Sequence, residues 1–395
     1  MRRNGGHLVA KKFDKMHTLV DKYGPEEASR SPALEEHTVS EILKIIKENG
    51  WERAVDLVEC RRVDLVFNAP ELAAIEKDIA AARSAKVDGI DDVEFLTVEQ
   101  VEKEYGTKYP AYRQGGNNLW PLKLVTKLFQ RAQGQPASRN FISSFLPAIF
   151  NQGTPSIDLA LHTHTPAIGV RPSGKGDRAY DVETTKGTIR ADYVVHATNA
   201  YVSHLLPQFA GPDRGVVPTR GQVIETQARV PRGELWNDNF TGNEGFEYWF
   251  PRPCPSSERP MIILGGGRES SPWETNVTDD SVVNEAVGKM LRAFLPAAYP
   301  KSFSEDTQPE FEWTGIMGYT KTRDPFVGLV SASNSQPSGE YVSVGYSGHG
   351  MPRAFACGEA IAQMIVAKRN GTTWTRPPWL PVWYLTEQSR SNLNC

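Results

Sequence analysis

The chain has 395 residues, of which 23% are charged, and a net charge of -3. Its Lys and Arg residues are spread along the sequence, so we expect no nucleic-acid partner. No apolar run reaches membrane-spanning length, the first thirty residues are charged and no C-terminal peroxisomal signal is present, which predicts a cytoplasmic protein without membrane contact. The four cysteines show no paired spacing, which argues against a disulfide framework or a zinc site.

In the N-terminal part, the sequence pattern predicts alternating helices and strands that follow a glycine turn, Arg3-Asn4-Gly5-Gly6-His7. Thr97 with Gln100 predicts a capping box at the start of a helix that follows a strand end at Phe95. The other predicted elements are a helix from Pro25 to Asn49, two strands within Val55 to Phe67, a helix from Glu71 to Ala85, and a helix from Pro121 to about Arg131.

Strands dominate the prediction for the middle of the chain. Thr188 to Asn199 looks like a buried strand that delivers Thr198 and Asn199 to a turn. The remaining predictions are an amphipathic helix from Phe141 to Phe150, strands at Leu159 to Val170, Tyr180 to Thr185, Val216 to Thr226, Phe246 to Phe250 and Met261 to Leu264, and a helix from Asp279 to Phe294. The Trp- and Pro-rich tail after Gly371 predicts a surface strap.

The stretch from Tyr341 to Ala362 predicts a buried strand, a glycine-rich turn and a helix. Gly348 and Gly350 remove the side chains that would keep a ligand from the backbone. Pro352 suits the first helical position, and Asn370-Gly371 ends the helix. Such a helix directs free N–H groups and the positive end of its dipole at the turn, as in cofactor sites, although plain connections use the same pattern.

Five segments in this order resemble the D-amino-acid-oxidase-like family of FAD-dependent oxidoreductases, which includes sarcosine and glycine oxidases. They are Arg3-Asn-Gly-Gly-His7, Tyr193-Val-Val-His-Ala-Thr-Asn-Ala-Tyr201, Arg220-Gly-Gln222, Trp313-Thr-Gly-Ile-Met-Gly-Tyr-Thr320 with Asp324-Pro325, and Gly345-Tyr-Ser-Gly-His-Gly-Met351.

The resemblance implies a mixed α/β fold with two interleaved domains. A Rossmann-like FAD-binding domain, incomplete at its N-terminus, would comprise residues 1–50, 119–208 and 312–372. A mixed-sheet substrate domain would comprise 51–118 and 209–311, and residues 373–395 would form the tail.

The resemblance also implies site residues. His349 and Arg353 are the candidate catalytic residues, with a surface histidine and a solvated arginine as the alternatives. The candidate cofactor-binding residues are Arg3, Asn4, Gly5, Gly6, His7, Ala167, Ile168, Thr198, Asn199, Gly318, Gly345, Gly348, His349, Gly350 and Met351. No metal is expected, because His162 and His164 have no evident third ligand.

The implied reaction removes a hydride equivalent from the carbon beside an amine nitrogen and delivers it to flavin N5, with oxygen as the usual acceptor. The substrate would be a small amine or amino acid. Met317 stands where the covalent-flavin branch of the family has a cysteine, so FAD should be bound non-covalently. That branch also has a lysine two residues after Gly-His-Gly for the substrate carboxylate, where this chain has Pro352.

One departure concerns phosphate binding. The sequence contains no Gly-x-Gly-x-x-Gly turn between a strand and a helix, the feature that holds the FAD pyrophosphate. We therefore expect this chain to bind FAD weakly or not at all and to fold poorly. The alternative to an active enzyme is a non-catalytic remnant or interaction protein that keeps the scaffold without the cofactor.

Overall fold

The computed structural model describes residues 4–134, 158–174, 178–271, 274–330 and 339–391. The chain forms two compact units, each built from two separate parts of the sequence. The first unit comprises Met1–Lys123 and Thr219–Ile316, and the second comprises Leu124–Pro218 and Met317–Cys395. The predicted division instead placed residues 1–50 with 119–208 and 312–372, and it stays a prediction about where the cofactor binds. Among the described helices, none combines the length and apolar character needed to cross a bilayer.

The described helices match most of the predicted ones. They are α1 Met16–Tyr23, α2 Pro25–Ala28, α3 Arg30–Glu48, α4 Ala69–Ser84, α5 Val98–Tyr105, α6 Pro121–Gly134, α7 Glu285–Ala298, α8 Ala354–Arg369 and α9 Glu387–Ser391. The capping box is confirmed: Thr97 accepts a hydrogen bond from the Gln100 backbone, and the Gln100 side chain accepts one from the Thr97 backbone. The predicted helix from Phe141 to Phe150 lies outside the described residues.

The described strands fall into three sheets. They are β1 His7–Leu8, β2 Val58–Leu65, β3 Glu94–Leu96, β4 Ala111–Asn118, β5 Ala167–Pro172, β6 Tyr180–Thr184, β7 Gly187–Ala191, β8 Val194–His196, β9 Val217–Gln227, β10 Asn239–Gly242, β11 Glu247–Pro251, β12 Met261–Gly266, β13 Phe311–Tyr319, β14 Phe326–Leu329 and β15 Glu340–Val344. This mixed α/β arrangement confirms the predicted fold class.

The largest sheet belongs to the first unit and has the order β1-β4-β2-β10-β11-β12-β9-β13, with β3 beside β4. Strands β2 and β10 run parallel, whereas β10/β11, β11/β12 and β12/β9 are antiparallel. Alternate residues of a strand point to opposite faces. One face carries the core, in which Val63, Phe240 and Trp249 pack with Leu291 of α7. The other face carries Cys60, Arg62 and Asp64 of β2.

The second unit contains two three-stranded sheets, β14-β15-β8 and β5-β6-β7. Strands β15 and β8 are parallel, and Val342 pairs with His196. The apolar side chains of Val342 and Val344 pack on Val202 and Phe209.

Five predicted elements were wrong in detail. The predicted helix from Pro25 to Asn49 is two helices, α2 and α3, and the predicted strand from Leu159 to Val170 begins only at Ala167, as β5. Val55 to Phe67 holds one strand, because β4 pairs with β2 without interruption from Val58 to Leu65. The predicted single strand from Thr188 is two: β7 forms an exposed hairpin with β6, and β8 joins β15. Helix α7 begins at Glu285 rather than Asp279, because the Asn284 side chain accepts hydrogen bonds from the Ala286 and Val287 N–H groups.

Candidate functional site

In the second unit, Asn199 closes the glycine turn that follows β15. Strands β8 and β15 are parallel neighbours, so the segments after them meet at one sheet edge. Asn199 Oδ1 accepts hydrogen bonds from the backbone N–H groups of Gly345 (2.9 Å) and Tyr346 (3.2 Å). The structure therefore brings two predicted site residues, Asn199 and Gly345, into direct contact.

Gly318 and Ser347 complete this turn. The Ser347 N–H donates to the Gly318 carbonyl (2.7 Å), and the Ser347 hydroxyl accepts from the Thr320 N–H (3.2 Å). A Cβ at Gly318 would lie 3.0 Å from Asn199 Oδ1 and 2.7 Å from a Val216 methyl. Gly318 thus lies against the turn, in a space that only glycine fits, and its contact with the cofactor stays a prediction.

Two glycines of the turn have positive φ angles, 81° at Gly345 and 78° at Gly348. A Cβ at Gly345 would meet the Thr320 methyl at 2.6 Å, and one at Gly348 would meet the Tyr319 hydroxyl at 2.7 Å. Both the backbone conformation and the available space therefore require glycine at these two positions.

The backbone from Gly348 to Met351 is accessible, whereas the turn before it is buried. The His349 N–H donates to the Tyr346 carbonyl at 2.9 Å. Among the described residues, no acceptor takes the N–H of Gly350 or Met351. These N–H groups lie just before α8, whose N-terminal dipole end is positive, so this segment can stabilise negative charge on a ligand.

Helix α8 starts at Ala354 with Arg353 as its N-cap residue, so Pro352 lies before the helix and not at its first position. The reason is that the Arg353 and Ala354 N–H groups both donate to the Gly350 carbonyl, which completes the turn first. The Arg353 side chain is 6% exposed, donates from Nη1 to the Arg323 carbonyl (3.1 Å) and lies over the Tyr384 ring. This burial excludes the solvated alternative, and the catalytic role of Arg353 stays a prediction.

The other predicted residues of the second unit do not join the turn. The Thr198 side chain is exposed, and its carbonyl accepts from the Tyr201 N–H at 3.0 Å. Ala167 and Ile168 lie on β5, in the separate β5-β6-β7 sheet, and Ile168 is 61% exposed. Their predicted contact with FAD gains no support from these positions.

In the first unit, the N-terminal glycine turn leads His7 into the sheet. Arg3 lies outside the described residues. Asn4 Oδ1 accepts from the Gly6 N–H (2.8 Å), and a Cβ at Gly5 would lie 2.5 Å from the Tyr248 hydroxyl. Gly6 has a φ of 102°, and a Cβ there would collide with the Leu119 carbonyl. The two glycines let the chain pass close to β4 and β11.

His7 belongs to a polar network on four strands, which we call the His7 network: His7, Asn239, Asn118 and Cys60. His7 Nε2 lies 2.7 Å from Asn239 Oδ1. Asn239 Nδ2 donates to Asn118 Oδ1 (3.2 Å) and to Cys60 Sγ (3.4 Å), and Asn118 Nδ2 donates to Cys60 Sγ (3.5 Å). Asn239 is fully buried, whereas His7 is half-buried and therefore accessible to a ligand.

Aromatic rings flank His7. Its ring stacks at centroid distances of 6.2 Å on Tyr248 and 6.3 Å on Phe250. Burial raises the pKa of Tyr248 to about 12, so its hydroxyl stays protonated at neutral pH. In the same way, burial raises the pKa of the Cys60 thiol to about 12. The surroundings of His7 are thus polar but uncharged at these two positions.

The sequence prediction missed Asn118, Asn239 and Cys60. The available signal was the polar character of alternate residues in β2, Cys60, Arg62 and Asp64, which is unusual for a buried strand. The described residues contain no group of three or more His, Cys, Asp or Glu side chains that could hold a metal ion.

Comparison with known proteins gives one family. The model of the DAO family, described as FAD dependent oxidoreductase, matches residues 2–364. The chain is 24% identical over 337 residues to a probable oxidoreductase OrdL of Rhizobium meliloti (strain 1021), which covers 81% of this chain and 66% of that protein. It is 26% identical over 211 residues to the glycine oxidase of Pseudomonas aeruginosa, covering 53% of this chain and 50% of that enzyme. The matched part thus spans no more than about two thirds of these curated relatives.

Solved structures of low sequence identity share the fold. Glycine oxidase from Geobacillus kaustophilus superposes with a TM-score of 0.63 at 18% identity, over 95% of this chain and 86% of that one. Iminodiacetate oxidase from Chelativorans sp. BNC1 gives a TM-score of 0.62 at 15% identity, over 95% and 87% of the two chains.

Proposed function

The chain belongs to the DAO family of FAD-dependent oxidoreductases, and from this we propose that it oxidises a C–N bond of a small amine or amino acid with FAD as cofactor and oxygen as electron acceptor. We further propose that the FAD ring lies against residues 345–351. The observation that carries this proposal is the accessible backbone before α8, with N–H donors at Gly350 and Met351 that no described acceptor uses.

The chemistry of this segment fits the ring end of FAD. A reduced flavin carries negative charge along one edge of its ring, and two N–H donors at a helix N-terminus stabilise such charge. Gly348 and Gly350 leave the backbone open to a flat ligand. Asn199 holds the turn in place through Gly345 and Tyr346, so the donors are fixed before a ligand arrives.

For the pyrophosphate of FAD, we identify no comparable binding segment in the part of the chain that the structure describes. The 395 residues contain no Gly-x-Gly-x-x-Gly, the turn that holds the pyrophosphate in Rossmann-type folds. We therefore keep the prediction that FAD binds weakly to this chain, and the alternative of a scaffold without cofactor becomes one outcome of the test below.

Bound FAD would supply the acceptor for the hydride equivalent, which no protein side chain can supply. The protein residues would position the substrate and FAD and stabilise the charge on the flavin. The turn from Gly345 to Met351 directs its N–H groups at the ligand edge. The rings of Tyr248 and Phe250 flank the half-buried imidazole of His7.

We propose that FAD is held without a covalent bond. Met317 Sδ lies near Gly348, since a Cβ at Gly348 would be 3.3 Å from it. A thioether sulfur already carries two carbon substituents and cannot form the link that a cysteine thiolate forms at the matching position of the covalent-flavin relatives. Acid precipitation should therefore release all flavin into the supernatant.

The test is flavin binding followed by turnover. The purified chain is titrated with FAD, with flavin fluorescence as the readout, and then incubated with a panel of primary and secondary amines and amino acids while peroxide is measured. Binding together with peroxide formation on at least one amine supports the proposal. A protein that folds, binds no FAD and produces no peroxide overturns it in favour of the non-catalytic scaffold.

A further inference from the structure

We propose that Asn370, at the C-terminal end of α8, is a site of spontaneous deamidation. In this reaction the backbone nitrogen of Gly371 attacks Cγ of the Asn370 side chain. The new C–N bond closes a cyclic imide, and the Gly371 N–H proton leaves with the side-chain nitrogen as ammonia. Water then opens the ring to aspartate or isoaspartate, so the reaction needs neither an oxidant nor a cofactor. The proposal does not depend on the proposed function.

The chain contains three Asn-Gly pairs, which begin at Asn4, Asn49 and Asn370. Glycine has no Cβ, so the attacking backbone nitrogen is least hindered when glycine follows asparagine. The three pairs therefore have similar intrinsic reactivity in the unfolded chain. What distinguishes them is how the fold holds the asparagine side chain and the nitrogen of the following glycine.

Asn49 and Asn370 occupy equivalent positions. Asn49 is the C-cap residue of α3 with a ψ of 0°, and Asn370 is the C-cap residue of α8 with a ψ of -1°. In both helices the N–H of the following glycine donates to the carbonyl three residues before it, at 3.1 Å. The helical ψ and this hydrogen bond must be given up before the glycine nitrogen can reach Cγ. Fraying of a helix end permits such an opening.

The side chains of these two asparagines differ in how they are held. Asn49 Nδ2 donates to the Ile45 carbonyl at 2.7 Å, so the Asn49 amide must also leave this acceptor before it can react. The Asn370 side chain is exposed, and no residue in the described part of the chain forms a hydrogen bond with it. The fold therefore protects Asn49 by one more hydrogen bond than Asn370.

The segments that follow the two caps also differ. After Gly50 the chain continues in hydrogen-bonded turns, in which the Val55 N–H donates to the Trp51 carbonyl at 2.9 Å. After Gly371, residues 372–377 belong to no helix or strand, and the first two of them are exposed. Local opening should therefore cost less at the end of α8 than at the end of α3.

The fold holds Asn4 in a different way. Asn4 Oδ1 accepts a hydrogen bond from the Gly6 N–H at 2.8 Å. The Gly5 N–H, which carries the nitrogen that would attack, donates to the Tyr248 hydroxyl. Both reacting groups are thus engaged at Asn4, and of the three pairs only Asn370-Gly371 leaves the asparagine side chain exposed without a hydrogen bond in the described part of the chain.

Deamidation changes the end of α8. A carboxylate at this position lies at the negative end of the helix dipole, and isoaspartate inserts an additional backbone atom just before Gly371. The Thr372 N–H donates to the Ala367 carbonyl at 2.9 Å, and the additional atom moves this donor out of register with the helix. Conversion of Asn370 should therefore loosen the last turn of α8.

The experiment compares the three sites within one protein. The purified chain is incubated in isotope-labelled water, once folded and once in urea, and peptide mass spectrometry measures the conversion of each asparagine to the acid. In the folded protein Asn370 should convert about 3- to 10-fold faster than Asn49, which is the factor that one hydrogen bond provides. Asn4 should also be slower than Asn370. In urea the three rates should be similar, because the fold no longer holds any of the side chains.

Two variants serve as matched controls. Ion exchange of the aged wild type should show a species with one negative charge more than the net -3 of the chain. Asn370→Gln should remove most of this species, because the longer side chain closes the imide ring less readily. Asn49→Gln makes the same change at the equivalent cap and should leave the species in place.

Three results would overturn the proposal. The first is an Asn370 that stays unchanged in the folded protein while it converts in urea. The second is a folded protein in which Asn49 or Asn4 converts at least as fast as Asn370. The third is the same ratio of rates in urea as in the folded protein, which would assign the difference to the sequence and not to the fold. All measurements are made without substrate or FAD, so failure of the proposed function leaves this test unaffected.

Discussion

Gly345 illustrates how a single residue determines the glycine turn. Its φ of 81° lies in the region that L side chains rarely adopt, and the Thr320 methyl fills the place of a Cβ. Gly358, in the middle of α8, has neither constraint, since no atom lies within 4 Å of a Cβ built there. The two glycines therefore have opposite expected responses to alanine.

We expect Gly345→Ala to lower the free energy of unfolding by about 1–3 kcal/mol, and Gly358→Ala to raise it by about 0.5–1 kcal/mol because alanine is the better helix former. Urea denaturation followed by circular dichroism measures both. Equal responses of the two variants would contradict the turn geometry described above.

Asn199 combines a backbone and a side-chain function. Its φ is 47°, a conformation that Asn and Asp tolerate, and its Oδ1 accepts two N–H groups of the turn. Asn199→Ala should cost about 1–3 kcal/mol of stability, because two turn donors lose their acceptor. It should also weaken FAD binding in a fluorescence titration. Asn199→Asp keeps the acceptor and should behave nearly as the wild type, and an equal loss in both variants would refute this role.

Cys60 should be an unreactive thiol in the folded protein. Burial raises its pKa from 9.0 to about 12, so at pH 8 its thiolate fraction falls about 1000-fold. Iodoacetamide at pH 8 should therefore label Cys60 only after unfolding, as measured by peptide mass spectrometry. Because the folded state binds this proton more tightly, the associated stability is present below pH 9 and is lost as the pH rises toward 12. Rapid labelling of the native protein would show that the thiol is not held in this way.

The turn positions of three candidate site residues were predictable from the sequence, because their signals are local. Gly345, Gly348 and Asn199 lie directly after strands, where glycine and a polar residue indicate a turn. Asn239 and Asn118 could not be found in this way, because they meet only through the register of β10, β2 and β4. Asn118 and Asn239 are 121 residues apart in sequence, and no local pattern encodes that pairing.

At the level of elements, helix starts were predicted best where a side chain caps them. Thr97 and Gln100 lie three residues apart, which is the spacing of a capping box, and this capping box forms at the start of α5. Strand β2 was split in the prediction because Arg61 and Arg62 interrupt its apolar pattern. In the fold, Arg62 is buried and pairs with Asp64, so a charged residue sits inside a continuous strand.

Thr97→Ala tests the contribution of this cap. The substitution removes the acceptor of the Gln100 N–H and should cost about 1 kcal/mol in thermal or urea denaturation. Thr185→Ala is the control, since its side chain is exposed and lies between β6 and β7. A loss below about 0.3 kcal/mol for Thr97→Ala would mean that α5 is held by its tertiary contacts and not by its cap.

For the whole molecule, FAD binding should increase the free energy of unfolding. A ligand that binds only the folded state stabilises it by about 2.7 kcal/mol at one hundred times its dissociation constant. A melting temperature that rises with FAD concentration, but not with added adenine, is the expected result. A constant melting temperature at concentrations up to the solubility limit of FAD would favour the scaffold that has lost its cofactor.

The discontinuous first unit has a consequence for its biosynthesis. Asp64 on β2 and Thr241 on β10 are neighbours in the sheet yet 177 residues apart in the chain. At about 5–20 residues per second, the ribosome releases β10 roughly 10–35 s after β2. During that interval Val63 and Leu65 have no Phe240 or Trp249 to cover them. The nascent chain therefore exposes an apolar, aggregation-prone strand for many seconds. The yield of folded protein in cells should depend on chaperones that bind unfolded chains.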